Sequence, residues 1–480
     1  MLELFPKYVC RSKWSAVSLL SLVLVAPAIV GQAHAKSMKS AVVAAVKTHP
    51  TALAERAAQR AIANELEESR QKFLPEIELF GDIGAENIHN PNSLSGSDNG
   101  SWKATRQVGV VARYTLFDGF ERANAVYRNA ARLDGALYSI LATADTIALD
   151  AVEAYIDVYR HRQLLNIAGQ NIVRHRDILS QIRGRVEGGK SSVSERIQIE
   201  ERVFAAQSVE IEIEKASQDA AAKYRRVIGA SPGGSMSIPG VKSLPRSINA
   251  LVDSSLAGNP NLKALEKAVS ESEYTRYSSE SALRPKLFLE GKGTIGADRG
   301  GSRGDQREAF VGLKLSWKLF DGNASTSREM ALAERVSNAM YVRDAKAREI
   351  QEIAEQSWNS YVNSRKRNSI LRSQVASNRK IVKNYRDEYE LSKRSLLDVL
   401  DAERARFNSE FQQIGAVSAQ QFAKFRMLAV QGKLAANFGI SRDALAASPD
   451  FEDRFLNSTS GFGAGSGGQG IFNIDLAPLK

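Results

Sequence analysis

The 480-residue sequence contains almost no cysteine and little histidine. Its one cysteine, Cys10, lies near the start, and its five histidines are scattered along the chain. His161 and His175 are fourteen positions apart, whereas two histidines that bind one metal ion from the same helix are usually four apart. We therefore predict no disulfide framework, no metal site, no bound cofactor and no catalytic cysteine in the processed protein.

Charge of one sign is not concentrated in any arm or patch of the sequence. The net charge is +11, but basic residues are interspersed with acidic ones in helical stretches such as 348–394. Proteins that bind nucleic acid usually gather their lysines and arginines on one face or in one segment. No phosphate-binding loop and no serine–histidine–aspartate spacing stands out either. We therefore expect neither a nucleic-acid-binding protein nor an enzyme.

An apolar run near the start has the features of an export signal. Three basic residues precede the apolar run 16–30, and an Ala-His-Ala site ends at Ala35. This order is typical of a secretory signal peptide, which we place at 1–35. A membrane anchor is the alternative, but it needs about 18 or more apolar residues, and Pro27 interrupts the run. Cys10 precedes the run, so it is not the lipid-bearing cysteine of a lipoprotein.

Two halves of the sequence repeat the same motifs in the same order. A proline stands before a predicted strand in both halves, 210 positions apart, and a Phe-Asp-Gly motif ends a predicted strand in both, 203 positions apart. We take these repeated positions as corners between strands and helices: Pro75 and Pro285, Asp118 and Asp321, and Gly119 and Gly322. The offset of 203 holds from 118 to 229, which indicates a duplicated framework with one tolerant surface loop.

The repeat divides the chain into segments. We place the first structural repeat at 36–229 and the second at 248–439, with a linker at 230–247 between them. Each repeat contains a helical region, two strands and a long helical hairpin. A glycine-rich tail, 440–480, follows the second repeat, and we predict that it is disordered because it has little apolar surface to bury.

Alternation of apolar and polar residues predicts two strands in each half. Val311, Leu313 and Leu315 share one side of the clearest strand, while Lys314 and Ser316 share the other. The four strands are predicted at about 76–86, 106–117, 286–297 and 309–320. Strands of roughly 10 residues have the length that crosses a bilayer in a tilted barrel. A half-buried sheet of a soluble protein shows the same alternation, so this pattern alone leaves both readings open.

Each pair of strands is followed by a very long helical pattern. The hairpins span 119–229 and 322–432, and the first helix of each is about 65 residues, or roughly 100 Å, long. Patterns of this length normally form coiled coils. A periplasmic coiled-coil scaffold without a channel is the alternative function at this point, although such a protein has no use for paired amphipathic strands.

Four strands per chain cannot close a pore. Open strand edges are not tolerated in lipid, and about eight strands are the practical minimum for a membrane barrel. Three chains would supply twelve strands and twelve long helices. We therefore predict a mainly α protein with a small membrane β-barrel, which is complete only when identical copies form a homotrimer.

The sequence resembles the TolC-type outer-membrane factors over nearly the whole processed chain. The resemblance consists of the doubled helix-proline-strand order, the two Phe-Asp-Gly corners, the helical hairpins and the segment from Tyr389 to Glu403. It implies an outer-membrane location in a Gram-negative bacterium and a passive duct for type I protein secretion, small-molecule efflux or both. It also implies contact with outer-membrane lipid, a periplasmic adaptor and an inner-membrane transporter driven by ATP or protons.

The same resemblance assigns roles to the tips of the hairpins. It implies that Asp398 and Asp401 line the closed periplasmic entrance. It implies further that the entrance is held shut by contacts among a second set of residues: Tyr389, Arg394, Ser194 and Glu195. The sequence departs from the family pattern at Ser392, where glycine is common, although the first half retains Gly189 at the matching position.

The spacing of the two aspartates is compatible with a ring. Asp398 and Asp401 are three apart and so share one helix face. In a trimer, six carboxylates around a narrow axis would attract cations, and their crowding would raise some of their pKa values. Alternatively, Asp398 caps a helix start and Arg394 is a solvated surface charge.

Overall fold

The computed structural model describes residues 37–89, 100–241, 243–300, 304–445 and 451. The predicted signal peptide, 1–35, lies outside the described residues. Most of the described chain is helical, with one small antiparallel sheet, so the predicted fold class is confirmed. The helices are α1 Met38–Thr48, α2 Pro50–Gln71, α3 Glu121–Glu187, α4 Val193–Ile228, α5 Ile248–Gly258, α6 Pro260–Ser279, α7 Ala324–Glu390, α8 Leu396–Val430, α9 Leu434–Asn437 and α10 Arg442–Leu445. The strands are β1 Glu76–Asn87, β2 Trp102–Phe117, β3 Lys286–Ala297 and β4 Asp305–Ser316.

The four described strands form one open sheet in the order β1-β2-β3-β4, each antiparallel to the next. Directly paired residues point to the same face of a sheet, so the register separates an apolar face from a polar one. The apolar face is open to the surroundings, with side chains that are 66–89% exposed: Ile77, Leu79, Ile83, Val311 and Leu313. The polar face carries an ion pair between Arg113 and Glu290, with 3.1 Å between nitrogen and oxygen.

Two strands differ from their predicted bounds. β2 begins at Trp102, four residues before the predicted 106–117, and β4 spans Asp305–Ser316 in place of the predicted 309–320. The last partner of β4 is Lys286, which pairs with Ser316 and directly follows Pro285. Residues 317–320 therefore have no neighbouring strand in the part of the chain that the structure describes, which explains why the strand pairing stops before the predicted end.

The corners between strands and long helices follow one design in both halves. Gly119 and Gly322 both have φ +70°, a left-handed conformation that glycine adopts without steric cost. The aspartate before each glycine then caps the helix. The Asp118 carboxylate accepts hydrogen bonds from the backbone and side chain of Arg122, at 3.2 and 2.6 Å. The Asp321 carboxylate accepts from the backbone nitrogen of Ser325 at 3.0 Å and from its hydroxyl.

Arg122 joins three parts of the first corner. Besides Asp118, its guanidinium donates to the carbonyl oxygens of Lys72, at 3.2 Å, and Thr115, at 3.0 Å, and it lies 4.5 Å from the ring centre of Phe73. Lys72 ends α2 three residues before Pro75, which breaks the helix and leads into β1. The end of α2, the end of β2 and the start of α3 are therefore held together by one side chain.

The main core lies where α1, α3, α4 and the end of α8 meet. Tyr155 of α3 and Tyr224 of α4 are fully buried with ring centres 6.3 Å apart, and Phe425 of α8 stacks on Phe438 at 5.8 Å. One segment of α3 is long and apolar enough to cross a membrane, but more than half of it is buried against the other helices. We interpret that segment as part of the core.

The beginning of the predicted tail is not disordered. Ile440 and Leu445 are buried in the main core, and α10 forms between them. The backbone nitrogen of Ala435 donates to the buried carboxylate of Asp145 at 2.7 Å, which fixes α9 and the segment after it on α3. The prediction of disorder is therefore wrong for 440–445, and 446–450 and 452–480 lie outside the described residues.

Candidate functional site

The two long hairpins end in turns of the same construction. The first turn joins α3 to α4 through Gly189, and the second joins α7 to α8 through Ser392. Both residues are left-handed, with φ +67° and +58°, although serine adopts this conformation at a cost that glycine does not have. Matching backbone bonds close the two turns, from Lys190 to Arg185 at 2.7 Å and from Lys393 to Glu388 at 2.8 Å. The sequence departure at Ser392 therefore changes the strain but not the shape of the turn.

The helix after each turn begins with a capping box. The Ser192 hydroxyl accepts from the Glu195 backbone nitrogen, and the Glu195 carboxylate accepts from the Ser192 nitrogen, both at 3.2 Å. Ser395 and Asp398 form the same pair of bonds at 3.2 and 3.3 Å, and the Ser395 hydroxyl also donates to Asp398 at 2.7 Å. Two of the predicted entrance residues, Glu195 and Asp398, thus occupy equivalent positions.

These bonds set the charge state of Asp398 in the single chain. The Ser395 hydroxyl, its backbone nitrogen and the charge of Arg394 hold the pKa of the Asp398 carboxyl below its usual value. The expected crowding of carboxylates acts in the opposite direction and requires further copies. Asp401 lies on the next turn, is exposed, and pairs loosely with Arg404 at 3.4 Å. The cap and the ring are therefore compatible, because capping does not remove the negative charge.

Arg394 makes its contacts within its own hairpin. Its guanidinium pairs with Glu388 at 2.9 Å and lies 4.2 Å from the ring centre of Tyr385. The hydrogen bond from Arg394 to Glu388 raises the pKa of the arginine above its usual value. The structure thus pairs Arg394 with Glu388 rather than with Ser194 or Glu195. Ser194 is exposed in the first turn of α4.

Tyr389 lies where the two hairpins touch. The guanidinium of Arg185, on α3, lies 4.8 Å from the centre of its ring. Its hydroxyl is buried and has no hydrogen-bond partner among the described residues. A buried polar group without a partner is costly.

A small apolar cluster holds the two tips together. Its members come from both hairpins, and we call it the tip cluster: Ile178, Ile182, Ile199, Leu396, Val399 and Leu400. Leu396 and Leu400 are at most 2% exposed, although the half-buried Asp398 and the exposed Asp401 stand beside them on α8. One face of this short segment is therefore anchored in the cluster, and the other presents its carboxylates to the surroundings.

A buried carboxylate lies just behind the tip cluster. Glu403 is fully buried on α8 and is flanked by Arg174 of α3, at 3.3 Å, and Arg386 of α7. Burial lowers the pKa of Arg174, with the nearby Arg406 acting in the same direction, whereas Glu403 partly restores it. Sequence analysis did not predict this cluster, because its three members are far apart in the chain and only the hairpin packing brings them together.

Glu410 and His175 are two further buried titratable residues behind the tip cluster. The carboxylate of Glu410 is almost fully buried and accepts from Arg379 at 2.9 Å and Arg406 at 3.3 Å. Burial also lowers the pKa of His175, whose ring nitrogen lies 2.8 Å from the carbonyl oxygen of Asn171. The two hairpins are therefore joined by an apolar layer at the tip and, behind it, by the buried ion pair of Arg174 with Glu403, while Glu410 joins residues within the second hairpin.

This arrangement suits electrostatic control of passage better than covalent chemistry. The described residues contain no group of three or more histidine, cysteine, aspartate or glutamate side chains that could hold a metal ion. Among the predicted entrance residues, Ser194 and Asp401 are exposed and the other four are half-buried. The tip offers negative charge, at Asp398 and Asp401, on a surface whose other side is packed in the tip cluster.

Comparison with known proteins gives a consistent result. The sequence profile described as "Outer membrane efflux protein" matches residues 42–230 and again 251–432. The outer membrane efflux protein BepC of Brucella suis is 22% identical over 434 residues, which cover 89% of this chain and 91% of BepC. The alkaline protease secretion protein AprF of Pseudomonas aeruginosa is 25% identical over 273 residues, which cover 54% of this chain and 55% of AprF.

A solved structure shares the fold. The outer membrane protein VceC of Vibrio cholerae matches with a TM-score of 0.69 at 13% identity, over 84% of this chain and 96% of VceC. The resemblance to the TolC-type outer-membrane proteins and the outer-membrane location are thereby confirmed, and the matched family is one of efflux proteins rather than of enzymes. The chain belongs to the outer membrane efflux protein family.

Proposed function

We propose that three copies of this chain assemble into one channel that crosses the outer membrane and extends into the periplasm. The observation that carries the proposal is the open four-stranded sheet, whose apolar face and two edges are unpaired in a single chain. Lipid cannot satisfy the backbone groups of an open edge, so the sheet must close with further copies. A periplasmic scaffold would leave this apolar face exposed to water, which disfavours that alternative.

The hairpin tips form the periplasmic entrance of the channel. Asp398 and Asp401 are the acidic residues that α8 presents on its unburied side at the tip. Three copies around an axis bring six of these carboxylates near the path of the cargo. Such a ring attracts cations and repels anions. Contacts that involve Tyr389, Arg394, Ser194 and Glu195 hold the tips of neighbouring copies in the closed position.

Transport through the channel is passive, and a partner in the inner membrane supplies the energy. The sequence has no phosphate-binding loop that would hold a nucleotide. A periplasmic adaptor joins the channel to an ATP- or proton-driven transporter. The names of the relatives support both efflux and protein secretion, since BepC is an efflux protein and AprF a protease secretion protein. The cargo is accordingly small molecules, secreted protein or both.

Conductance in planar lipid bilayers tests the entrance. We expect the double variant Asp398→Ala, Asp401→Ala to lose cation preference and to become less sensitive to block by divalent cations. A matched control, Asp387→Ala with Glu390→Ala, removes the same charge from exposed positions on the other helix of the tip and should keep both properties. Unchanged selectivity and block in the first variant would show that these aspartates do not line the entrance.

A further inference from the structure

We propose that the free edge of β4 in one copy pairs with the free edge of β1 in the next copy in one fixed register, which places Lys318 directly opposite Glu78. This inference deepens the proposed assembly and rests on it. It names the surface, the partner and the residues that determine how the copies join. The partner is a second copy of this chain.

The two surfaces are the outer strands of the sheet. Among the described residues, β1 pairs only with β2 and β4 only with β3, so each has one row of backbone groups without a described strand partner. Residues 317–320 directly follow β4, and no described strand lies beside them. Their counterparts in the first half, 114–117, belong to β2 and run alongside β3. The seam that is missing in a single chain is therefore the one that 317–320 would make.

The internal repeat supplies a template for this seam. β4 is the counterpart of β2, 203 positions later, as Val-Gly-Leu-Lys-Leu-Ser-Trp-Lys-Leu-Phe from 311 matches Val-Gly-Val-Val-Ala-Arg-Tyr-Thr-Leu-Phe from 108. β3 is the counterpart of β1, 210 positions later. The junction of β2 with β3 inside one chain is thus equivalent to the junction of β4 with β1 of the next copy.

The register of the internal seam can be transferred residue by residue. Thr115 pairs with Phe288 in the internal seam. Adding 203 to the first number and subtracting 210 from the second gives Lys318 opposite Glu78. The same transfer applied to the pair of Val111 with Lys292 gives Lys314 opposite Asp82. Both transferred pairs join a base to an acid.

The charges on the two edges are complementary. Glu78 and Lys318 are exposed, and neither makes a hydrogen bond or ion pair with any described residue. Lys318 also lines a cavity of about 640 Å³ whose charged side chains are six bases and one acid: Arg128, Arg284, Lys286, Lys318, Arg328 and Arg335, with Glu121. The outer polar face of β1 carries acids instead, at Glu76, Glu78, Asp82 and Glu86. Opposite charges directly across a strand pair are stabilising, whereas like charges are not.

The apolar face agrees with the same register. The transferred register puts Trp317 opposite Leu79. The internal seam has a bulge between Thr115 and Phe117, and its transfer puts Phe320 opposite Ile77. All four of these apolar side chains are more than half exposed in the single chain. A shift by one residue would place Lys318 on the lipid side against Leu79 or Ile77. Such a slip moves every side chain to the wrong face, so it is strongly disfavoured. Only shifts by two residues remain as alternatives, and the charge pairs discriminate against them.

Disulfide scanning in the full-length protein tests the register. Glu78→Cys is combined in turn with Lys314→Cys, Ser316→Cys, Lys318→Cys and Phe320→Cys, and the detergent-solubilised protein is oxidised. Side chains directly opposite each other have β-carbons about 4.5–5.5 Å apart, whereas diagonal neighbours are about 7–8 Å apart. We expect chain-to-chain cross-links on a non-reducing gel to be most abundant for the pair with Lys318→Cys and several-fold weaker for the others.

The outcomes separate the register from the assembly. A maximum at Lys314→Cys, Ser316→Cys or Phe320→Cys would overturn the proposed register, and so would particles of three chains that show no cross-link for any pair. If solubilised particles contain one chain only, the proposed function itself fails. A charge exchange adds a second check, because Glu78→Lys should weaken assembly and the addition of Lys318→Glu should restore it. Failure of this restoration contradicts the ion pair.

Discussion

Glu403 is the residue on which the joining of the two hairpins most depends. Its fully buried carboxylate lies between the guanidinium groups of Arg174 and Arg386, so it links α8 to both α3 and α7. Removal of one member of a buried ion pair leaves uncompensated charge in a poorly solvated site. The tip cluster alone would then have to hold two arginines that repel each other.

We expect Glu403→Gln to lower the free energy of unfolding by about 3 kcal/mol, since it breaks a buried charge network while it keeps the shape of the side chain. Loss of helical circular dichroism on heating in detergent measures the change. Glu390→Gln is the matched control, because Glu390 is exposed on α7 near the same tip and should change stability by less than about 0.5 kcal/mol. Equal unfolding temperatures for the two variants would contradict the assigned role of Glu403.

Asp145 makes the stability of the core dependent on pH. Burial is the main cause that raises the pKa of its carboxyl to about 6, although the backbone nitrogen of Ala435 acts in the opposite direction. Because the pKa in the folded chain lies above the unfolded value of 3.8, the folded chain binds the proton more tightly. The contribution of the Asp145 carboxyl to the free energy of unfolding therefore increases as the pH falls from 6 towards 4.

The variant Asp145→Asn should remove this dependence. At pH 8 we expect it to be more stable than the parent by up to about 3 kcal/mol, the equivalent of a shift of roughly two pKa units. The difference should shrink as the pH falls through 6 and vanish near 4. Unfolding midpoints in denaturant at pH 4, 6 and 8 test this, and a constant difference across that range would mean that the Asp145 carboxyl is not the responsible group.

At the scale of elements, the two corners have the same backbone but different surroundings. A β-carbon added to Gly119 would lie 2.7 Å from the β-carbon of Arg284, whereas one added to Gly322 would meet nothing within 4 Å. Both positions have φ +70°, so alanine at either incurs the left-handed penalty of about 1–2 kcal/mol. Only at the first corner would the added β-carbon also overlap with a neighbouring residue, Arg284, which lies just before β3.

We therefore expect Gly119→Ala to lower the free energy of unfolding by about 1 kcal/mol or more beyond the loss caused by Gly322→Ala, which is the usual cost of overpacking. The pair is a matched comparison, since the repeat places both residues in the same turn. The amount of folded protein in the membrane fraction and its unfolding temperature measure the effect. Equal losses in the two variants would indicate that backbone strain alone limits the corners.

The sequence patterns predict helices and strands, but they do not predict the contacts between them. Pro75, Pro285 and the two Phe-Asp-Gly motifs could be picked out as corner positions without tertiary context, because proline and left-handed glycine act on the backbone locally. The end of β4 was predicted four residues too late, because alternation shows that a segment can form a strand and not whether a partner lies beside it. The bond of Arg394 to Glu388 was missed for a related reason, since it crosses a turn whose shape the sequence does not specify.

At the scale of the whole molecule, the single chain has surfaces that are poorly suited to stand alone. The apolar sheet face is exposed, and the two outer edges of the four described strands are free. The acids on β1 lie at one side of the sheet, and Lys314 of β4 and Lys318 just after it lie at the other. The arrangement is head-to-tail, so repeated pairing of unlike edges leads to a ring rather than to a symmetric pair. Closure of that ring removes every edge from lipid.

The number of chains in the solubilised particle tests this account most directly. Native mass spectrometry of the protein purified in mild detergent counts the chains without any assumption about conductance or cargo. We predict particles of three processed chains that survive dilution. A stable, folded particle of one chain that needs no detergent would contradict the account, because it would show that one chain can bury its own sheet.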